Sequence, residues 1–170
     1  MATLHRRRLL AAATATLGLA TLAGCGFQLR RAPELRFKTI ALAGFKFNSP
    51  LAEELRMNIN ASRTSRVVDA LSQAQVVLES IADTRERGVV ASTAAGQVRE
   101  LQLRTRLQFR LRSAAGKDLI PPTELLLSRD MSYSESLALA KEQEEALLYR
   151  TMQSDIVAQV MRRLAAVQAI

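Results

Sequence analysis

The chain has 170 residues, is 48% hydrophobic and 24% charged, and carries a formal net charge of +8. That is enough apolar content for one domain with its own core and too much for a disordered chain. Apart from the extreme N-terminus, no apolar run is long enough to cross a bilayer. The sole His, His5, and the sole Cys, Cys25, fall in the first 25 residues, and there is no Trp. Beyond Cys25, zinc sites built on His or Cys and nucleophile systems that need an imidazole or thiol are excluded.

Residues 1–24 read as basic His5-Arg6-Arg7-Arg8, apolar Leu9 to Leu22, then small Ala23-Gly24. This is the order of an export signal. Leu22-Ala23-Gly24-Cys25 resembles the bacterial lipobox, which implies cleavage before Cys25 and acylation of that residue. The expectation is a cleaved signal peptide over 1–24 and one domain over 25–170, anchored by lipidated Cys25. Several acyl chains, each methylene burying about 0.8 kcal/mol, make such an anchor stable. Gly26, where inner-membrane lipoproteins carry an aspartate, points by resemblance to the outer membrane.

Phe37 to Phe45 is apolar enough for a strand. Asn48-Ser49-Pro50 then opens a helix, with Ser49 as N-cap, Pro50 in the first turn, and Leu51, Leu55 and Ile59 as its buried stripe. Val67-Val68 reads as a short strand. Val76 to about Ser92 reads as a long strand bulged near Gly88. From Glu100 to Arg112 the alternation is strict. Leu101, Leu103, Thr105, Leu107, Phe109 and Leu111 occupy one face, and Gln102, Arg104, Arg106, Gln108, Arg110 and Arg112 the other. That pattern is a half-buried antiparallel strand.

Ala114-Ala115-Gly116-Lys117 turns the chain, and Pro121-Pro122 marks an edge strand or a strand start, with alternation again from Thr123 to Tyr133. Ser132 and Glu135 have capping-box spacing. The last helix, Leu137 to about Val167, carries an apolar stripe through Leu137, Ala140, Leu148, Met152, Ile156, Val160, Leu164 and Val167. At 1.5 Å per residue it is about 45 Å long, enough to roof a sheet and overhang it. The expected fold class is α+β: two helices packed on a roughly four-stranded, mostly antiparallel sheet.

Little catalytic equipment is left. Glu144-Glu145 and Asp83/Glu86 are the nearest carboxylate pairs for a hydrolase that uses carboxylates alone, but each lies in a charged, solvent-type context. There is no Gly-rich phosphate loop, and aromatics at 4% are too few to form stacking platforms for nucleic acid. The expectation is a non-enzyme without cofactor or metal.

Longer strings carry a resemblance. Leu22-Ala23-Gly24-Cys25-Gly26-Phe27-Gln28-Leu29-Arg30, Gly96-Gln97-Val98-Arg99-Glu100-Leu101-Gln102-Leu103, Leu119-Ile120-Pro121-Pro122-Thr123, Leu139-Ala140-Lys141-Glu142 and Gln159-Val160-Met161-Arg162-Arg163-Leu164 fall in order along nearly the whole chain. Together they resemble the LptE family, the lipopolysaccharide-assembly lipoproteins once called rare lipoprotein B. The resemblance implies two helices on a four-stranded sheet and a non-catalytic role at the outer membrane. It implies a plug inside an LptD-type β-barrel that helps the barrel assemble and binds lipopolysaccharide in transit.

Lys141 matches a basic position tied to lipopolysaccharide binding in that family. Arg99, beside the Ala94-Ala95-Gly96 turn, and Arg87 are further candidates. Some members carry a basic residue just before that glycine, where this chain has Ala94 and Ala95. Simpler alternatives stand beside these: Lys141 paired with Glu145 four residues on, and Arg104, Arg106, Arg110 and Arg112 as a plain solvent face. A different class of function, a stand-alone periplasm-facing lipoprotein that binds an anionic glycan or another envelope protein, fits the same composition.

Overall fold

The computed structural model describes residues 34–168, and Cys25 with the signal segment lies outside them. β1 (Thr39–Ala43) leads into α1 (Pro50–Asn60), followed by β2 (Arg66–Val67), β3 (Val76–Ser92), β4 (Val98–Ser113), β5 (Asp118–Ser132) and α2 (Ala138–Ala166). One sheet of order β2-β1-β3-β4-β5 contains all five strands. β1 pairs in parallel with β2 and β3, while β3, β4 and β5 form an antiparallel meander. The fold class is therefore α+β as expected, with one strand more than the four expected. The fifth is β2, one residue ahead of the short strand expected at Val67-Val68, and its two residues pair with Thr39 and Ile40.

The helix starting at Pro50 begins as its sequence directs. The Ser49 hydroxyl accepts from the amide of Ala52 at 3.3 Å, with Pro50 in the first turn, where its missing N–H costs nothing. Leu51, Leu55 and Ile59 are buried, and the alternation of β4 holds without exception from Leu101 to Leu111. Both helices cover the same face of the sheet, so Phe109, Leu107 and Leu111 of β4 meet Leu55 and Ile59 of α1 and Ile156, Val160 and Leu164 of α2 in one core. A smaller second cluster, built on Leu101, Leu103, Met131 and Met152, lies further along the sheet.

The start of the last helix differs from expectation. Ser132 and Glu135 form no capping box: Ser132 still pairs with Glu100 in the β4–β5 ladder, a 3₁₀ turn occupies Glu135–Leu137, and α2 begins at Ala138 without a side-chain cap. Nor is the apolar stripe buried along its full length. Leu148 is half-buried and Met152 to Leu164 are in the core, whereas Leu137 (56%) and Ala140 are exposed, as are Leu139 (72%) and Leu147 (59%) off the stripe. The first three turns of α2 extend over a part of the sheet that offers charged side chains.

The β3–β4 pairing is irregular at three points, Ile81 and Val90 of β3 and Arg99 of β4, while Gly88 itself stays paired with Gln102. The shift at Ile81 exchanges the strand's two faces. Val76 and Leu78 pair with the turned-in side of β4 near its end, and beyond the bulge Asp83, Arg85 and Arg87 take that helix-facing side, opposite Leu107, Thr105 and Leu103. Gly44 sits where β1 leaves the sheet, at φ +74°, and a Cβ there would run into the carbonyl oxygen of Ser80. Gly44→Ala combines a left-handed backbone with a backbone clash. Chemical denaturation should show a loss of about 2–5 kcal/mol, whereas Gly88→Ala, with open space around it, should cost less than about 1 kcal/mol.

Candidate functional site

Two surfaces carry the chemistry: the sheet face that no helix covers, and the distal end where β3, β5 and the start of α2 meet.

The open face is set by the even positions of β4. Arg110 Nε and Arg112 Nη2 both reach Glu79 Oε2 at 2.8 Å, and Arg106 Nη2 reaches Glu124 at 2.7 Å. Arg104 donates to Gln102 at 2.7 Å, and Gln102 donates to Asp130 at 2.8 Å. The four arginines expected on one face are thus there together, mostly paired with carboxylates from the neighbouring strands. Leu126, 56% exposed, is the large apolar side chain among them. Glu79, bonded first of all to Arg110 and facing Arg112 as well, is held below the ordinary carboxylate range, and Arg110 is raised in turn by the same bond.

At the distal end the face exchange in β3 decides what α2 meets. Arg85 Nη2 donates to Gln153 at 2.5 Å, and its guanidinium lies 5.6 Å from the Tyr149 ring centroid, within cation–π range. Gln153 is buried and also donates to the carbonyl of Pro50 at 3.2 Å and to Glu54 at 2.6 Å, so one amide ties α1, α2 and β3 together. Tyr149 donates to the carbonyl of Glu86 at 2.7 Å. Burial is the main reason its hydroxyl is raised. Arg87 Nη1 bonds Glu145 at 3.1 Å, which raises the guanidinium. Arg85, Arg87, Glu145, Tyr149 and Gln153 together line a cleft of about 510 Å³.

Lys141 does not pair with Glu145. Its ammonium donates to Glu144 Oε2 at 2.8 Å and to the Ser132 hydroxyl at 3.0 Å, because Glu145 is turned toward β3 and taken by Arg87. Arg99 lies at the tip of the β3–β4 hairpin, in a second cleft of about 510 Å³ with Tyr133, Ser134, Glu135 and Ser136, though no carboxylate bonds it among the described residues. The hairpin turns through Ala94-Ala95-Gly96, with Gly96 at φ +80° and its amide donating to the Thr93 carbonyl. Tyr133 lines the Arg99 cleft, and its amide donates to the Arg99 carbonyl. The three expected cations therefore gather at one end of the molecule.

The proposed carboxylate pairs are placed differently. Asp83 faces the helices and accepts from Ser49 at 3.4 Å, while Glu86 lies on the open face beside Arg104. Glu144 and Glu145 are each bound to a cation. Among the described residues no cluster of three or more metal-ligating side chains occurs, and no helix is long and apolar enough to cross a membrane. Sequence reasoning missed Arg85 and Gln153. The signal for Arg85 was Ile81, which falls out of phase with Val76 and Leu78.

Comparison with known proteins agrees with this architecture. Residues 37–164 match the family model for LptE, described as lipopolysaccharide-assembly. The LPS-assembly lipoprotein LptE of Pectobacterium atrosepticum is 28% identical over 155 residues, covering 89% of this chain and 83% of that protein. The solution structure of an uncharacterized lipoprotein B from Nitrosomonas europaea is similar at TM-score 0.71 and 29% identity, over 83% of this chain and 91% of that one. The rare lipoprotein B of Shewanella oneidensis shares the fold at TM-score 0.64 and 22% identity, over 76% and 95% of the two chains. A two-helix, one-sided α+β sheet of this kind is the architecture of an envelope lipoprotein of lipopolysaccharide assembly. The chain belongs to the LptE family.

The Glu79 cluster yields a pH test. A carboxylate whose folded value is lowered contributes stability above its unfolded value and loses that contribution as pH falls through the folded one. Between about pH 5 and pH 3, thermal unfolding should show wild type losing more stability than Glu79→Gln. Parallel acid profiles would remove the cluster from the acid response.

Proposed function

We propose that the mature chain begins at Cys25, is held at the outer membrane by acyl chains on that residue, and acts as plug and assembly partner of an LptD-type β-barrel while contacting lipopolysaccharide on its way to the cell surface. The observation that carries this reading is the one-sided sheet. A meander of strands fifteen to seventeen residues long is roofed on one face and leaves the other lined with paired arginines and carboxylates. Such a face is too polar for lipid and suits the polar interior of a large barrel. Membership of a lipopolysaccharide-assembly family supports the same pathway.

Lipopolysaccharide carries phosphates beside packed acyl chains. Arg99, Arg87 and Lys141 at the distal end supply charge-assisted donors for the phosphates, and exposed Leu137 and Leu139 supply apolar contact beside them. Gly96 is preceded here by two alanines, so the contact falls to Arg99 at the base of the turn rather than to its apex.

Affinity purification of the full chain from detergent-solubilised membranes should recover a β-barrel partner in equimolar amount. Recovery of the chain alone would favour a lipoprotein that works without a barrel. Separately, Lys141→Ala combined with Arg99→Glu should weaken lipopolysaccharide capture about ten-fold or more at low salt, the wild-type signal itself falling as salt screens the contact. Capture unchanged at low salt would leave Lys141 as a surface ion pair.

A further inference from the structure

Two of the three distal cations are already occupied by the protein's own carboxylates. Lys141 is bound to Glu144 and Arg87 to Glu145, while Arg99 has no carboxylate bonded to it among the described residues. Glu144 and Glu145 are consecutive on α2, and consecutive helical residues point about 100° apart. One therefore reaches toward β5, where Lys141 also meets Ser132, and the other toward Arg87 of β3. One helical turn thus places a carboxylate on each of two cations held by different elements, Lys141 of α2 beside β5 and Arg87 of β3. Both glutamates lie in the stretch of α2 where Leu139 and Leu147 remain exposed, one turn before Leu148 and Tyr149 join the second apolar cluster.

We propose that Glu144 and Glu145 act as an internal stand-in for the phosphates of the ligand, masking Lys141 and Arg87 until an anionic group displaces them. This rests on the lipopolysaccharide-contacting function proposed above and adds how its distal site is regulated. Arg99, without such a partner, meets the incoming anion first. A phosphate then takes the donors of Lys141 and Arg87 from the two carboxylates, because it offers more charge and more acceptor oxygens than either. The exchange is reversible because each pair keeps one member, Glu144 in one and Arg87 in the other, well exposed to water and to a competing anion. No bond is made or broken, and the glutamates return to their cations when the ligand leaves. The masking also favours phosphorylated ligands over singly charged anions, which cannot replace both carboxylates together.

The test is the affinity of the full lipidated chain, in detergent micelles at low salt, for lipopolysaccharide bearing both lipid A phosphates and for the same preparation dephosphorylated. Glu144→Gln combined with Glu145→Gln should tighten binding of the phosphorylated form about five-fold, each single change giving about two-fold. Glu142→Gln removes the same charge from the same helix but bonds no cation, and should change little. Dephosphorylated lipopolysaccharide should show no gain. Wild-type capture with no gain in the double variant, or an equal gain from Glu142→Gln, would overturn the masking and leave the binding function standing. If wild type and every variant alike capture nothing, the binding function fails and the masking with it.

Discussion

The structure depends on the strict alternation of β4. Its odd residues from Leu101 to Leu111 are buried, and its even residues carry four arginines. A strand of period two cannot turn one side chain over without turning all of them. That fixes the face both helices must cover and the face neither can. Burying Phe109, Leu103, Leu107 and Leu111 under α1 and α2 is worth roughly 1.5–3 kcal/mol per side chain. Desolvating Arg104 or Arg106 on the other face would cost several kcal/mol per charge without a partner of matched polarity. The one-sided sheet is the cheapest arrangement this sequence allows, and it leaves a long charged face free.

The bulge at Ile81 has the second largest consequence. Without it, β3 would continue to turn its even residues, from Thr84 to Gly88, toward the helices and send Arg85 and Arg87 to the open face. With it, both arginines lie under α2, where Gln153, Tyr149 and Glu145 receive them. The large core gives way there to the smaller cluster of Leu101, Leu103, Met131 and Met152, which Leu148 and Tyr149 of α2 join, with a belt of hydrogen bonds along its β3 side. A single extra residue in one strand therefore creates the distal end as a place of exchangeable ion pairs.

Most of the scaffold was legible because its signals are local. The Ser49 cap, the Leu51-Leu55-Ile59 stripe and the β4 alternation each follow from neighbouring residues, and each is found where expected. What was not legible depends on pairing across the sheet. Ser132 has the spacing of a cap, yet its place opposite Glu100 in the ladder takes it before the helix starts. Lys141 has Glu145 four residues on, yet Arg87 claims that carboxylate from a strand 58 positions earlier in the chain. Gln153 lies off the apolar stripe of α2 and is nevertheless buried, because α1 and β3 both bring it partners. The candidate cations were named from a family resemblance, and their common location at the distal end became visible only with the face exchange of β3.

The central claim is that the charged face of the sheet is an interface and the apolar face is not. Site-specific photocrosslinking along β4 in intact membranes tests it most directly. A photoreactive residue at Gln102, Arg104 or Gln108 should give a product with a second, barrel-sized protein, whereas one at Leu103 or Leu107 should react only within the chain. Products with a partner from the odd positions, or none from the even ones, would contradict the account.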